Sequence, residues 1–331
     1  MKPTKGFWRL TALLSSLSLL ILSGCSDLAV LNPQGPVAKI QADLIIWSFW
    51  LMGIVIVVVF AIFAFVLIKY REKPENMDYE PPEQEGNLLM EIIWTAFPVI
   101  ILILLAIPTV KSIYDLEKPP VAAEGQEQKE PITIHVTSAN WKWIFSYPEE
   151  NIETVNYVNI PEDTPIRFEL TSAGPMNAFW VPELGGMKYN MNNMAMDLYL
   201  QADNPGSYMG RSANYSGEHF TDMEFEVQAM TDEDYEEWVS DVKGTAEKLT
   251  EKQYDQLLEP GVVGRMTFNN THLDWVNHAE DAYIPGQVDE RGQGNGHGGH
   301  GSHGSHGDKK EKEDNHEDHE NHEDHDSHDN H

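Results

Sequence analysis

Two uncharged apolar stretches constrain this chain more than any other feature. Leu44 to Ile68 contains no charged residue over 25 positions, and neither does Ile92 to Val110. A helix of about 20 apolar residues crosses roughly 30 Å of hydrocarbon. Inside hydrocarbon the backbone must satisfy its own hydrogen bonds, so both stretches are expected as helices. Trp47 and Trp50 near the start of the first, and Tyr70 just past its end, suit the membrane interface. Lys69, Arg71 and Lys73 follow at once. The spacing predicts transmembrane helices over 44–68 and 88–110, joined by a loop over 69–87. Its three basic residues place that loop on the cytoplasmic side, because the acids beside them count little in the positive-inside rule. Pro98 and Pro108 fall within the second helix, where neighbours can satisfy the carbonyls they free.

The first 24 residues read as an export signal: Lys2, Lys5 and Arg9, an apolar run from Leu10 to Leu22, then small residues. The chain's one cysteine, Cys25, follows Leu22-Ser23-Gly24, and this tetrapeptide resembles a bacterial lipobox. Cleavage before Cys25 would leave its thiol carrying diacylglycerol, with 25–43 as a lipidated N-terminal segment. A cysteine committed to lipid forms no disulfide and no thiolate metal site. The expected product is a multi-pass lipoprotein of the bacterial cytoplasmic membrane, with everything after the second helix on the exterior face.

A linker rich in Pro, Glu and Gln occupies 111–131. Period-two alternation follows: Ile132, Ile134 and Val136; Ile166, Phe168 and Leu170; Met196, Leu198 and Leu200; Met223, Phe225 and Val227. Turn signals such as Ala173-Gly174-Pro175 and Asn204-Pro205-Gly206 separate them. Short strands at this spacing predict an antiparallel β-sandwich over 132–230. A small helical, aromatic-rich extension is expected over 231–286, with Thr231 and Thr250 as N-caps and Pro260-Gly261 as a stop.

From 287 to 331 the chain is almost devoid of apolar residues, which predicts a disordered tail. His297, His300, His303 and His306 recur every third residue, as do His316, His319, His322, His325, His328 and His331. Interleaved imidazole and carboxylate suit zinc, nickel or copper(II), so weak binding of several ions by the tail is expected. The alternative is a tail that keeps the exterior soluble. The formal net charge is −31 with His neutral. That balance argues against nucleic acid and anionic surfaces as partners.

One order of elements and three local motifs carry a family resemblance. Asn87-x-x-x-Glu91-x-x-Trp94-Thr95-x-x-Pro98, the aromatic segment Asn140 to Tyr147, and Gly206-Ser207-Tyr208-Met209-Gly210 through Met223 resemble subunit II of the haem-copper terminal oxidases. The resemblance covers about Asn32 to Glu280, and it implies a cupredoxin-like exterior sandwich behind a two-helix hairpin. In the cytochrome c oxidases of this family the last motif holds a dinuclear copper centre. At its ligand positions this chain has Asn177, Ser212, Asn214, Ser216 and Phe220; only Met223 is retained. Hydroxyl, amide and phenyl groups do not replace thiolate and imidazole for copper. His219 lies beside a ligand position, not on it.

This departure is similar to subunit II of the quinol-oxidising branch. The resemblance implies a proton-pumping quinol oxidase that reduces O2 to water, with its haems and copper in subunit I and quinol as substrate of the complex. It implies no cofactor on this chain and no cytochrome c as partner. The expected partners are subunit I, the small membrane subunits III and IV, membrane lipid and the quinol pool. The chain itself would be non-catalytic, capping subunit I. A different reading is a free-standing membrane lipoprotein that binds extracellular metal through its His-rich tail.

Three further features have two readings each. Glu91 is either the mouth of a proton path into subunit I, as the resemblance implies, or an interfacial carboxylate favoured by the helix N-terminus. Trp141 and Trp143, read as one face of a strand, are either part of an electron path, as in the copper-bearing relatives, or packing against subunit I. Met187, Met191, Met194 and Met196 are either thioether ligands for copper(I) or adaptable packing material.

Overall fold

The computed structural model describes residues 28–71, 86–121 and 128–279. Cys25, most of the loop between the apolar stretches, and all ten tail histidines lie outside the described residues.

Helix α1 spans Pro36–Lys69 and α2 spans Leu88–Leu116, and both are long and apolar enough to cross a membrane. Proline at the first helical position suits α1, since the N–H it lacks would have no intrahelical partner. Asn87 caps α2, its side chain accepting from the amides of Leu89 and Met90 at 3.1 and 3.3 Å. At 34 residues α1 measures about 51 Å. Its first turns therefore extend beyond the hydrocarbon, and they bury themselves in the β-domain.

That attachment is a weld of main chain to main chain. The Gln34 amide donates to the Glu183 carbonyl at 2.8 Å, and the Asp203 amide donates to the Gln34 carbonyl at 2.9 Å. Val37 reaches the sandwich core beside Leu184 and Leu200. Gly35 is required here, because a Cβ at that position would stand 1.9 Å from the Gln201 carbonyl oxygen.

Among the described residues eleven strands form two sheets. They are β1 (Ile132–Ala139), β2 (Lys142–Tyr147), β3 (Ile152–Val155), β4 (Tyr157–Pro161), β5 (Ile166–Ser172), β6 (Asn177–Trp180), β7 (Lys188–Asn190), β8 (Met196–Leu200), β9 (Gly206–Ser212), β10 (Glu224–Met230) and β11 (Met266–Phe268). One sheet has the order β11-β3-β2-β1-β5-β8 and the other β4-β10-β9-β6-β7. The alternation located the strands but not their direction: β1–β5 and β4–β10 pair in parallel, so the sandwich is mixed, not antiparallel. Apolar alternation reports which face is buried and is silent about the sense of the neighbouring strand.

The space between the sheets is filled by aromatic rings. Phe179 and Phe225 stack at 4.8 Å, with Trp143 edge-on to them at 5.4 and 5.3 Å. Helices α3 (Asp232–Thr245) and α4 (Glu251–Leu258) follow. Thr231 caps α3, and Thr250 with Gln253 forms a capping box on α4. The extension covers the outer face of the first sheet. Ile144, Val155, Tyr254, Leu257, Leu258, Phe268 and Val276 form a second buried cluster there. All six residues of β2 are buried for this reason, with Trp143, Phe145 and Tyr147 facing one core and Ile144 the other.

Candidate functional site

The loop from Ser212 to Met223 joins β9 to β10 at one end of the sandwich. Strands β6 and β9 pair through Phe179 and Ser212, which brings Asn177 beside Ser212. The Ser212 hydroxyl donates to the Asn177 side-chain oxygen at 3.4 Å and to the Asn214 carbonyl at 3.2 Å. The amides of Asn177 and Asn214 donate to the carbonyls of Pro175 and Met176 at 2.9 and 3.0 Å. Phe220 packs edge-on against Tyr215 at 5.1 Å. The Met223 side chain is fully buried in the aromatic core, and its carbonyl accepts from the Ser212 amide and the Trp143 indole N–H.

Asn177, Ser212, Asn214 and Met223, the positions at which the resemblance places copper ligands, lie together here, and what they form is a hydrogen-bonded clasp. Their donors and acceptors are directed at one another and at the backbone. The loop offers neither thiolate nor imidazole at the positions where the resemblance places copper ligands. His219 Nδ1 lies 3.1 Å from an Asp222 carboxylate oxygen. Among the described residues no group of three His, Cys, Asp or Glu side chains is arranged to hold a metal ion.

Trp141 departs from expectation. It does not share a strand face with Trp143 but occupies the turn between β1 and β2 with φ of +64°. From there its indole N–H donates to the Ser216 carbonyl at 3.2 Å, and its ring meets His219 at 5.0 Å. Gly217, with φ of +114°, gives the ring room, since a Cβ there would stand 3.1 Å from it. The same turn grips the extension. Asn140 donates to the Leu258 carbonyl at 2.9 Å, and the Lys142 ammonium donates to the Glu259 carbonyl at 2.6 Å. A cation at the end of α4 complements the helix dipole. Burial lowers the Lys142 pKa, partly opposed by the Glu259 charge.

Met187 and Met194 are about half exposed, while Met191 and Met194 face each other across a short bridge. Glu91 lies in the first turn of α2, beside a groove of about 460 Å³ that Thr95 and Val99 also line.

Sequence reasoning missed a buried polar cluster under the extension. Glu153 and His272 are 0 % and 1 % exposed. One Glu153 carboxylate oxygen accepts from the Ser146 hydroxyl at 2.9 Å and from the His272 amide at 3.0 Å, and lies 2.7 Å from His272 Nδ1. The His272 ring stacks on Tyr254 at 4.3 Å, and the Tyr254 hydroxyl meets His278 Nε2 at 2.7 Å. Ser146 and Glu153 occupy positions that alternation assigns to a solvent face. Their partner lies 119 residues away in sequence, so no local pattern marks it.

Burial, and secondarily the neighbouring His272, push the His278 pKa down to about 3. With an unfolded value near 6.5, the unfolded chain binds more protons between those limits, so stability rises with pH across that window. The extension should therefore be firmest above about pH 6.5 and loosen progressively toward pH 3. Hydrogen exchange of residues 246–279 at pH 7 and pH 4.5 tests this. Lower protection relative to the intrinsic exchange rate is expected at pH 4.5, and His278→Gln should flatten the difference.

Residues 35–112 match the family described as cytochrome c oxidase subunit II, transmembrane domain. Quinol oxidase subunit 2 of Bacillus cereus is 64 % identical over 278 residues, covering 84 % of this chain and 94 % of that protein. The protein of the same name from Bacillus subtilis is 49 % identical over 264 residues, covering 79 % and 81 %. The periplasmic domain of subunit II of cytochrome oxidase from Bradyrhizobium japonicum aligns at 20 % identity with a TM-score of 0.33, covering 37 % of this chain and 95 % of that one.

Proposed function

Because this chain belongs to the family of quinol oxidase subunit 2, we propose that it is the copper-free subunit II of a proton-pumping quinol:oxygen oxidoreductase. The observation that carries the copper-free part is the clasp at Asn177, Ser212 and Asn214, whose hydroxyl and amide groups are bonded to one another and to main-chain carbonyls. An electron relay through this loop would need soft or imidazole ligands that these residues do not supply. Electrons then pass from membrane quinol directly to subunit I, which carries the haems and the oxygen-reducing copper. Subunits III and IV complete the complex.

On this reading the hairpin packs against subunit I within the bilayer, and the cupredoxin-like sandwich caps it on the exterior side. Residues 1–24 are removed on export, and Cys25 carries lipid. Trp143 serves the core, and Trp141 locks the Ser212–Met223 loop, so neither needs an electron-carrying role. Glu91 is the mouth of a proton path into subunit I. Its place in the first turn of α2, open to a groove, supports that role.

Oxygen uptake by the complex purified through this chain tests the proposal. Quinol should sustain turnover, reduced cytochrome c should not, and a chelator wash should change neither. Comparable rates with cytochrome c would overturn the copper-free reading. Glu91→Gln should slow quinol turnover without loss of assembly; an unchanged rate would return Glu91 to a solvated interfacial role.

A further inference from the structure

We propose that the groove between α1 and α2 at the sandwich end of the hairpin seats an acyl chain carried by Cys25. This rests on the reading of Cys25 as the lipid-bearing residue. The groove has a volume of about 520 Å³. Its apolar walls include Leu44 and Trp47 from α1 and Leu104 and Ile107 from α2, while Asp43 and Ser112 supply its polar groups. Those groups are graded along the axis. Asp43 lies one turn nearer the sandwich than Trp47. Ser112 lies eight residues, about 12 Å, nearer than Leu104. A ligand with a polar glycerol end and a hydrocarbon body, entering from the sandwich side, matches that gradient.

The covalent path selects the occupant. Leu28, the first described residue, is three positions after Cys25, a reach of at most about 11 Å. The chain from Leu28 does not run away from the hairpin. A 3-10 turn over Ala29–Leu31 folds it, and Gln34 is held to Glu183 and Asp203 immediately before α1 begins. A lipid on Cys25 would therefore be held within about 11 Å of Leu28, a few residues before Gln34 joins the sandwich at the start of α1. A free phospholipid has the same chemistry. A free phospholipid exchanges with the bilayer, whereas a chain covalently held within about 11 Å of Leu28 cannot diffuse away.

The test uses the full complex with a photoreactive benzoylphenylalanine at Ile107, which lines the groove and is 65 % exposed. A second version carries it at Leu44, and a control at Phe63, about 24 Å further along α1 than Trp47. Irradiation and mass spectrometry of the digested chain then identify what is captured. A large excess of adduct with the lipidated Cys25 peptide at 107 or 44 over 63 is the expected result. Capture of free phospholipid alone at both positions, with Cys25 lipidated, overturns the seat but leaves the lipoprotein reading intact. Lack of any adduct at both positions does the same. A Cys25 peptide without lipid overturns both.

Discussion

Glu153→Ala should release the C-terminal extension from the sandwich, because each buried donor left without its acceptor costs about 1–3 kcal/mol. The Ser146 hydroxyl, the His272 amide and the His272 ring all address one oxygen of this carboxylate, in a site with no exposure to water. Its loss leaves those groups buried without that acceptor. The inter-sheet core built on Trp143, Phe179 and Phe225 is separate from this layer, so the damage should be local. Hydrogen exchange should accelerate over residues 246–279 and stay slow in β9 and β10. Glu153→Gln should cost less, because an amide oxygen still accepts. Unchanged exchange in the alanine variant would show that the extension is held by apolar packing alone.

Gly35→Ala should undo the weld between α1 and the sandwich. The new Cβ would stand 1.9 Å from the Gln201 carbonyl oxygen, a main-chain atom of the strand region and not a flexible side-chain end. Relief requires moving either the start of α1 or the segment after β8. Either movement breaks the Gln34–Glu183 and Asp203–Gln34 hydrogen bonds and withdraws Val37 from the core. Overpacking of a tight site costs about 1–3 kcal/mol, and more where backbone must shift. Loss of protection at the Gln34 and Asp203 amides is the expected signature. Gly53→Ala is the control, since nothing lies within 4 Å of a Cβ there. Equal behaviour of the two variants would mean that the domain is not fixed to the helix at Gly35.

The parts of this fold that were legible in the sequence are those governed by period and length. Two charge-free stretches give two membrane-length helices, and alternation at Ile132–Val136 or Ile166–Leu170 gives strands with the correct inward face. Helix starts at Thr231 and Thr250 were legible because capping is a local hydrogen bond. The unread parts depend on contacts between distant segments. Parallel pairing of β1 with β5 leaves no mark on either strand. Trp141 was misplaced because its positive φ belongs to a turn, whereas its sequence neighbours are strand residues. The continuous burial of Lys142 to Tyr147 reflects a second layer arriving from residues 246–279. An unbroken apolar core in Trp143-Ile144-Phe145 was the one local hint of it.

The candidate site divides in the same way. Which residues stand where the resemblance places copper ligands was readable directly, from the frame set by Gly206–Gly210 and Met223. How the loop closes without metal was not. Pairing of Asn177 with Ser212 follows from the β6–β9 register, and the Trp141–Ser216 contact follows from a turn 75 residues earlier. Glu153 and His272 were invisible for the same reason.

The central claim is that this chain serves a quinol oxidase without carrying a copper relay. An optical spectrum with metal analysis tests it most directly, on the complex purified in mild detergent through this chain. A chelator wash comes first, to clear adventitious ions. The account predicts haem bands, one copper per complex as expected for the oxygen-reducing site alone, and no near-infrared band of a dinuclear copper centre. Three coppers with that band would contradict it, and so would a colourless chain eluting by itself.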